Sequence, residues 1–197
     1  MKRGQAEQLM PLCQEVLEEA NLTWQDVSLI GVGVGPGNFT GIRIAVSAAR
    51  GVALGLGIPA IGVTGFEQLH QGYHISGQTI VSLPASREQA YVQTFSATKP
   101  IDAPRQIDPT DAAQSLTDLI NPFVLGYKAA EIGQKIGAPF DEDFYLTLDP
   151  EMIASNIALI ANNKFLSKDF QAKRPVPLYV RAADAAPPRD PAPVLLP

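Results

Sequence analysis

The sequence predicts an α/β protein of two lobes. Three observations carry that expectation. Strand-like and helix-like apolar segments alternate over residues 28–75; two β-rich runs at 79–83 and 90–95 flank the turn Ala85-Ser86-Arg87-Glu88-Gln89, as a hairpin does; alternation then resumes, with a strand at 123–125 between helices near 109–119 and 150–166. The chain has 197 residues, 46% of them hydrophobic, with mean hydropathy +0.05, which is ample for a packed core.

The first helix spans residues 6–20. Its apolar residues Leu9, Met10, Leu12, Cys13, Val16 and Leu17 recur at helical spacing, but cover about 160° of the helix, wider than the ~100° that one core contact needs. Such a helix touches two neighbours. Thr23 and Asp26 have the spacing to cap a brief turn, and Ser28 to Val34 reads as a buried strand. A second helix over 39–56 places Arg43, Ser47 and Arg50 on one narrow face, with apolar residues over the rest. That arc is on the order of 200°, more than one sheet covers. A helix must take the remainder, and Ala45, Ala48, Ala49 and Ala53 let it approach closely.

Residues 59–63 read as another short strand, Thr64 as a helix cap and 66–73 as a helix. Asp108-Pro109 and Asp149-Pro150 each set a capping side chain before a proline at the first helical position. The tail 182–197, dense in proline and alanine, has little to bury and reads as disordered.

Between the strand ending near Val34 and the second helix stands Gly35-Pro36-Gly37-Asn38-Phe39-Thr40-Gly41-Ile42-Arg43. A strand turning into a helix N-terminus presents backbone N–H groups suited to an anion or a partner loop. The side chains do not complete a phosphate site. No Gly-Lys-Ser/Thr follows, as a Walker loop requires, and the third glycine of a dinucleotide fingerprint is replaced by Asn38 or Thr40 according to the register chosen. Taken alone, the loop is a tight strand-to-helix connection.

The stretch from Ile30 to Arg43, with Gly51-Val52-Ala53-Leu54-Gly55, Pro59-Ala60-Ile61-Gly62-Val63, Arg87-Glu88-Gln89-Ala90-Tyr91-Val92, Val124-Leu125-Gly126 and Pro177-Leu178-Tyr179-Val180-Arg181, resembles the TsaB (YeaZ) family of tRNA threonylcarbamoyladenosine biosynthesis. The resemblance implies a two-lobed actin-like, ribonuclease-H-like ATPase fold. Residues 1–75 form its first lobe and 76–181 its second. Family members begin with a β-hairpin ahead of the first helix. Here Met1-Lys2-Arg3-Gly4 leads straight into that helix, so the first lobe is expected to be incomplete, with an exposed sheet edge.

The resemblance further implies a noncatalytic subunit that pairs with the catalytic protein TsaD through the two first-lobe helices and works with the ATPase TsaE, touching tRNA only indirectly. The interface residues expected on those helices are Leu9, Met10, Cys13, Leu17, Ile44, Ala48 and Val52. The loop Gly35, Pro36, Gly37, Asn38, Thr40 and Gly41 fixes the start of the second helix, with Arg43 near the lobe cleft. A homodimer through the same helices and an ATP-dependent enzyme of the same fold are the alternatives.

Candidate chemistry elsewhere is sparse. His70 and His74 are spaced by four, but Gly72 interrupts their helix and no glutamate sits between them as in a zinc hydrolase. The metal-binding histidines of the related catalytic subunit fall by motif on Gly65 and Leu69, neither of them a ligand. Pro84 stands where relatives carry an acidic residue before Arg87, and Arg87 with Glu88 reads as a solvated turn. No serine lies in a nucleophile elbow. No cofactor and no metal are expected. The net charge of −5 and pI near 5.0, with no Lys/Arg cluster in any segment, disfavour nonspecific nucleic-acid binding. The one cysteine, Cys13, reads as buried and inert. No signal peptide and no apolar run of about 20 residues is apparent, so a cytoplasmic protein without a membrane span is expected.

Overall fold

A computed structural model describes residues 4–71, 73, 77–143, 150–171 and 173–181. The expectations for His74, Asp149 and the tail 182–197 lie outside the described residues.

The first sheet has two parallel strands, β1 (Ile30–Gly35) and β2 (Ala60–Thr64), in register from Ile30 opposite Ala60 to Gly33 opposite Val63. Helix α1 (Gln5–Glu19) precedes β1, and α2 (Phe39–Leu56) makes the crossover between the strands. Val32 and Val34 point to one face of the sheet and pack on Val46 and Ala49 of α2. The opposite face is covered by the far end of the chain. Helix α6 (Pro150–Leu166) lays Ile160 and Ala161 against Ile61 and Val63 of β2, while its Ile157 closes on β1. A Cβ on Gly31 would come within 3.0 Å of the Ala161 Cβ and 3.1 Å of the Ile157 carbonyl oxygen, so glycine sets how near α6 lies.

Helix α3 (Gly65–Gln71) leads from β2 to the second sheet, which comprises β3 (Gln78–Pro84), β4 (Ala90–Ser96), β5 (Lys99–Pro100), β6 (Arg105–Ile107), β7 (Pro122–Gly126) and β8 (Phe140–Asp141). Its order is β5-β4-β3-β7-β8, with β6 also on β4. The β3–β4 hairpin is antiparallel, whereas β3, β7 and β8 run parallel. Period-two alternation divides the core. Ile80, Val92 and Val124 face α4 (Ala112–Ser115) and α5 (Ala129–Ile136), and Val81, Leu83 and Leu125 meet Phe66 and Leu69 of α3. The chain thus groups differently in space than in sequence, because α6 and Leu178 return to the first sheet.

Most expected elements are present, and several differ. The helix expected over 109–119 is a 3₁₀ turn, Pro109–Asp111, followed by the single turn of α4. Asp108 Oδ1 accepts from the Thr110 N–H at 2.9 Å and its hydroxyl at 2.7 Å, tightening the entry. Leu116 then leaves helical geometry and is buried at 4% exposure. Helix α5 was not expected. It starts after Lys128 in the left-handed region (φ 51°) rather than at a Ser, Thr, Asp or Asn cap, and carries Gly133 inside. Strands β5, β6 and β8 have two or three residues each, too few for periodicity to reveal. Cys13 is half-buried rather than buried. Helix α1 packs on α2, leaving Met10, Leu12 and Val16 at 40%, 38% and 62% exposure. By length and composition α2, 18 residues of mean hydropathy 1.3, is also apolar enough to cross a membrane. It carries Arg43 and Arg50, buries Val46, Ala49 and Ala53, and rests on the sheet through Val46 and Ala49.

Candidate functional site

The two features singled out in the sequence are a helix pair and a loop, and α2 joins them. Between α1, α2 and β1 runs an apolar groove of about 410 Å³. Six of the seven expected interface residues line it: Leu9, Met10, Cys13 and Leu17 from α1, and Ala48 and Val52 from α2. The seventh, Ile44, is half-buried and does not line the groove. Leu12 and Val16 also line it, although the sequence reading did not assign them to the interface. They complete the stripe Leu9, Leu12, Cys13, Val16 at i, i+3, i+4, i+7, a spacing that marks one helix face.

The alanines keep the groove open. Side chains at 45, 48 and 49 end at Cβ, so α1 meets α2 without filling the space between them. Trp24 fastens α1 from below, donating from Nε1 to Gln14 Oε1 at 2.7 Å. Its 3₁₀ turn is closed by Asp26, whose carboxylate accepts from the Thr23 N–H at 2.8 Å and hydroxyl at 2.7 Å. Those bonds hold the Asp26 carboxyl below its ordinary range. Burial pushes the Cys13 thiol up, so the neutral form is favoured in the groove.

In the loop, the Gly35–Pro36 peptide is cis. Gly35 has φ 101°, and a Cβ there would lie 2.7 Å from Ile42 Cδ1, so only glycine fits. Asn38 caps α2, its Oδ1 accepting from the Gly41 N–H at 2.8 Å. One orphan donor at the helix start is thereby satisfied internally. Arg43 lies one turn on. Its guanidinium carbon sits 3.8 Å from the centre of the Phe39 ring, and its Nε donates to Tyr179 Oη at 2.8 Å. The Leu178 N–H donates to Val34 O at 2.8 Å, seating this C-terminal segment at the end of β1. Nothing in the local pattern of Tyr179 indicates that it meets a residue 136 positions away.

His70 is buried against Phe95, ring centres 4.5 Å apart, and its Nε2 lies 2.5 Å from Ala97 O. Among the described residues, no group of three or more His, Cys, Asp or Glu side chains is arranged to hold a metal ion. Arg87 and Glu88 form the exposed turn expected, both with positive φ, and Glu88 pairs with Lys128 at 3.1 Å.

Two helices and a glycine turn on one side of a parallel strand pair, with a second mixed sheet beyond, define the α/β class of the YeaZ structures. YeaZ from Pseudomonas aeruginosa superposes with TM-score 0.65 at 19% identity, covering 89% of this chain and 84% of that one. The family model described as TsaD, tRNA N6-adenosine threonylcarbamoyltransferase, matches residues 1–147. The tRNA threonylcarbamoyladenosine biosynthesis protein TsaB of Escherichia coli K12 is 36% identical over 70 residues, 36% of this chain and 30% of that protein. The protein of the same name from Bacillus subtilis 168 is 35% identical over 96 residues, 48% and 42% of the two chains. The chain belongs to the TsaB (YeaZ) family, and its matches span less than half the length of these two relatives.

Proposed function

We propose that this protein is a noncatalytic partner subunit in tRNA threonylcarbamoyladenosine biosynthesis, pairing through α1 and α2 with the catalytic subunit TsaD and working with TsaE. The observation that carries this reading is the groove: six of the expected contact residues line one apolar depression, beside exposed Met10, Leu12 and Val16. Exposed contiguous apolar surface of this kind marks interaction sites. The pathway itself rests on the names of the relatives and on family membership. The fold read this way is two-lobed and actin-like, with the β1–β2 sheet in its first lobe, and the protein acts in the cytoplasm.

Catalysis at the glycine loop lacks support in the side chains there. The helix N-terminus of the loop is capped by the chain's own Asn38, and no acidic residue stands in the loop to hold magnesium. The test is reconstitution of tRNA modification with a TsaD and a TsaE, this chain replacing TsaB. Modified tRNA that depends on this chain supports the reading. Full modification without it, or magnesium-dependent ATP hydrolysis by this chain alone, overturns it in favour of the enzyme of the same fold.

A further inference from the structure

At the C-terminal end of α2, the end away from the glycine loop, lies a cavity of about 540 Å³ lined by Arg50, Leu54, Ile58, Phe170, Lys173 and Arg174 among others. An adjoining cavity of about 430 Å³ shares Phe170, Lys173, Arg174 and Pro175 with it, making one trough between α2 and the segment after α6. Ligand pockets commonly measure about 300–1,000 Å³, with apolar walls and few polar groups.

The charge here runs against the rest of the molecule. The chain carries −5 overall, yet Arg50, Lys173 and Arg174, all exposed, line the larger cavity with no carboxylate among its lining residues. Among the described residues none of the three is engaged in an ion pair or a side-chain hydrogen bond. The one acid in the adjoining cavity, Asp169, faces Lys99 at 3.5 Å. Sequence showed no cluster, because Arg50 lies more than a hundred positions before Lys173 and only the return of α6 to the first sheet unites them.

One term opposes an anion: a helix C-terminus carries partial negative charge. Here it is muted, since the Gly57 and Ile58 N–H groups bond back to the carbonyls of Ala53 and Leu54. The three cations lining the cavity each carry a full charge, against about half a charge at a helix end.

We propose that this trough binds a small phosphate-bearing molecule with an apolar or aromatic body. The phosphate meets Arg50, Lys173 and Arg174, and the body packs on Phe170, Leu54 and Ile58. The inference is independent of the partner-subunit reading. Arginine is suited to phosphate through its planar fork of donors, and the aromatic wall to a ring.

The experiment titrates the protein with AMP, adenosine and inorganic phosphate by calorimetry and by NMR of the Leu54, Ile58 and Phe170 signals. Saturable AMP binding that shifts those signals, weakens with salt and falls roughly tenfold or more in K173E/R174E supports the site. The milder Arg50→Gln variant should weaken it by a smaller factor, with circular dichroism unchanged in both. No saturable binding of AMP, binding of adenosine as tight as that of AMP, or binding that ignores these substitutions overturns it.

Discussion

Lys164 Nζ lies 2.7 Å from Glu67 Oε1 and also donates to Gly62 O at 2.8 Å, so a side chain from α6 closes on the strand β2 and the start of α3. Glu67 is already engaged there. Its carboxylate accepts from the Thr64 N–H at 2.8 Å, and Thr64 Oγ1 accepts from the Glu67 N–H at 3.1 Å, a reciprocal cap. Lys164, Glu67, Gly62 and Thr64 tie the last helix to the first sheet.

Replacing Lys164 by methionine leaves the Glu67 carboxylate half-buried without its cation. The expected loss is about 1–3 kcal/mol of stability by urea denaturation. A double-mutant cycle with Glu67→Gln should show positive coupling; strict additivity would mean that the pair does not hold α6 in place.

Gly31 and Gly126 test close packing. Gly31→Val drives a side chain into Ile157 and Ala161 and should cost about 1–3 kcal/mol, partly restored by I157A. At Gly126 (φ 104°) a Cβ would stand within 2.4 Å of Ser82 O. Gly126→Ala should be the more damaging, because its Cβ overlaps a backbone oxygen far more deeply than one at Gly31 does and its positive φ strains any side chain. A thermal melt showing the reverse order contradicts this packing.

The pH dependence has a defined sign. The Thr23 hydroxyl and N–H hold the Asp26 carboxyl below its ordinary value, and those of Thr110 do the same for Asp108. A carboxyl depressed in the fold adds stability that is present above its unfolded pKa, about 3.9, and lost as pH falls through the folded value. The hydrogen bond to Glu88 raises Lys128, so its contribution is present below its unfolded pKa, about 10.4, and lost as pH climbs through the folded value. Asp26→Asn and Asp108→Asn should each flatten the acid limb of a stability–pH curve, and Lys128→Met the alkaline limb.

Cys13 reports on the groove. Its thiol is raised by burial, so alkylation by iodoacetamide near neutral pH should run several-fold slower than for a free cysteine. Adding the partner should slow it further. Unchanged reactivity in a stable complex would place the contact elsewhere.

How much was legible follows from the range of each signal. The capping turns at Thr23 and Thr64, the glycine turn and the β3–β4 hairpin are written in neighbouring residues and stand where the pattern put them. Helix α5 escaped because a left-handed Lys128 replaces the usual cap, and Gly133 serves close approach to Ala138 and Phe140. The helix past Pro109 ends at Ser115, short of the expected 119, since proline marks a start and says nothing of length. The contacts of Arg43 with Tyr179 and Lys164 with Glu67 were invisible, being products of topology. The groove was half legible: the apolar stripes named its walls, while Ile44, on the same helix as Ala48, does not line it.

The account turns on whether the α1–α2 groove clasps another polypeptide. Co-purification of this chain with a TsaD, compared with its Ala48→Glu variant, tests that directly. The account predicts a complex with the natural chain and none with A48E, whose circular dichroism and melting temperature remain close to the natural protein's because Ala48 is only half-buried. A complex of undiminished stability with A48E would contradict it.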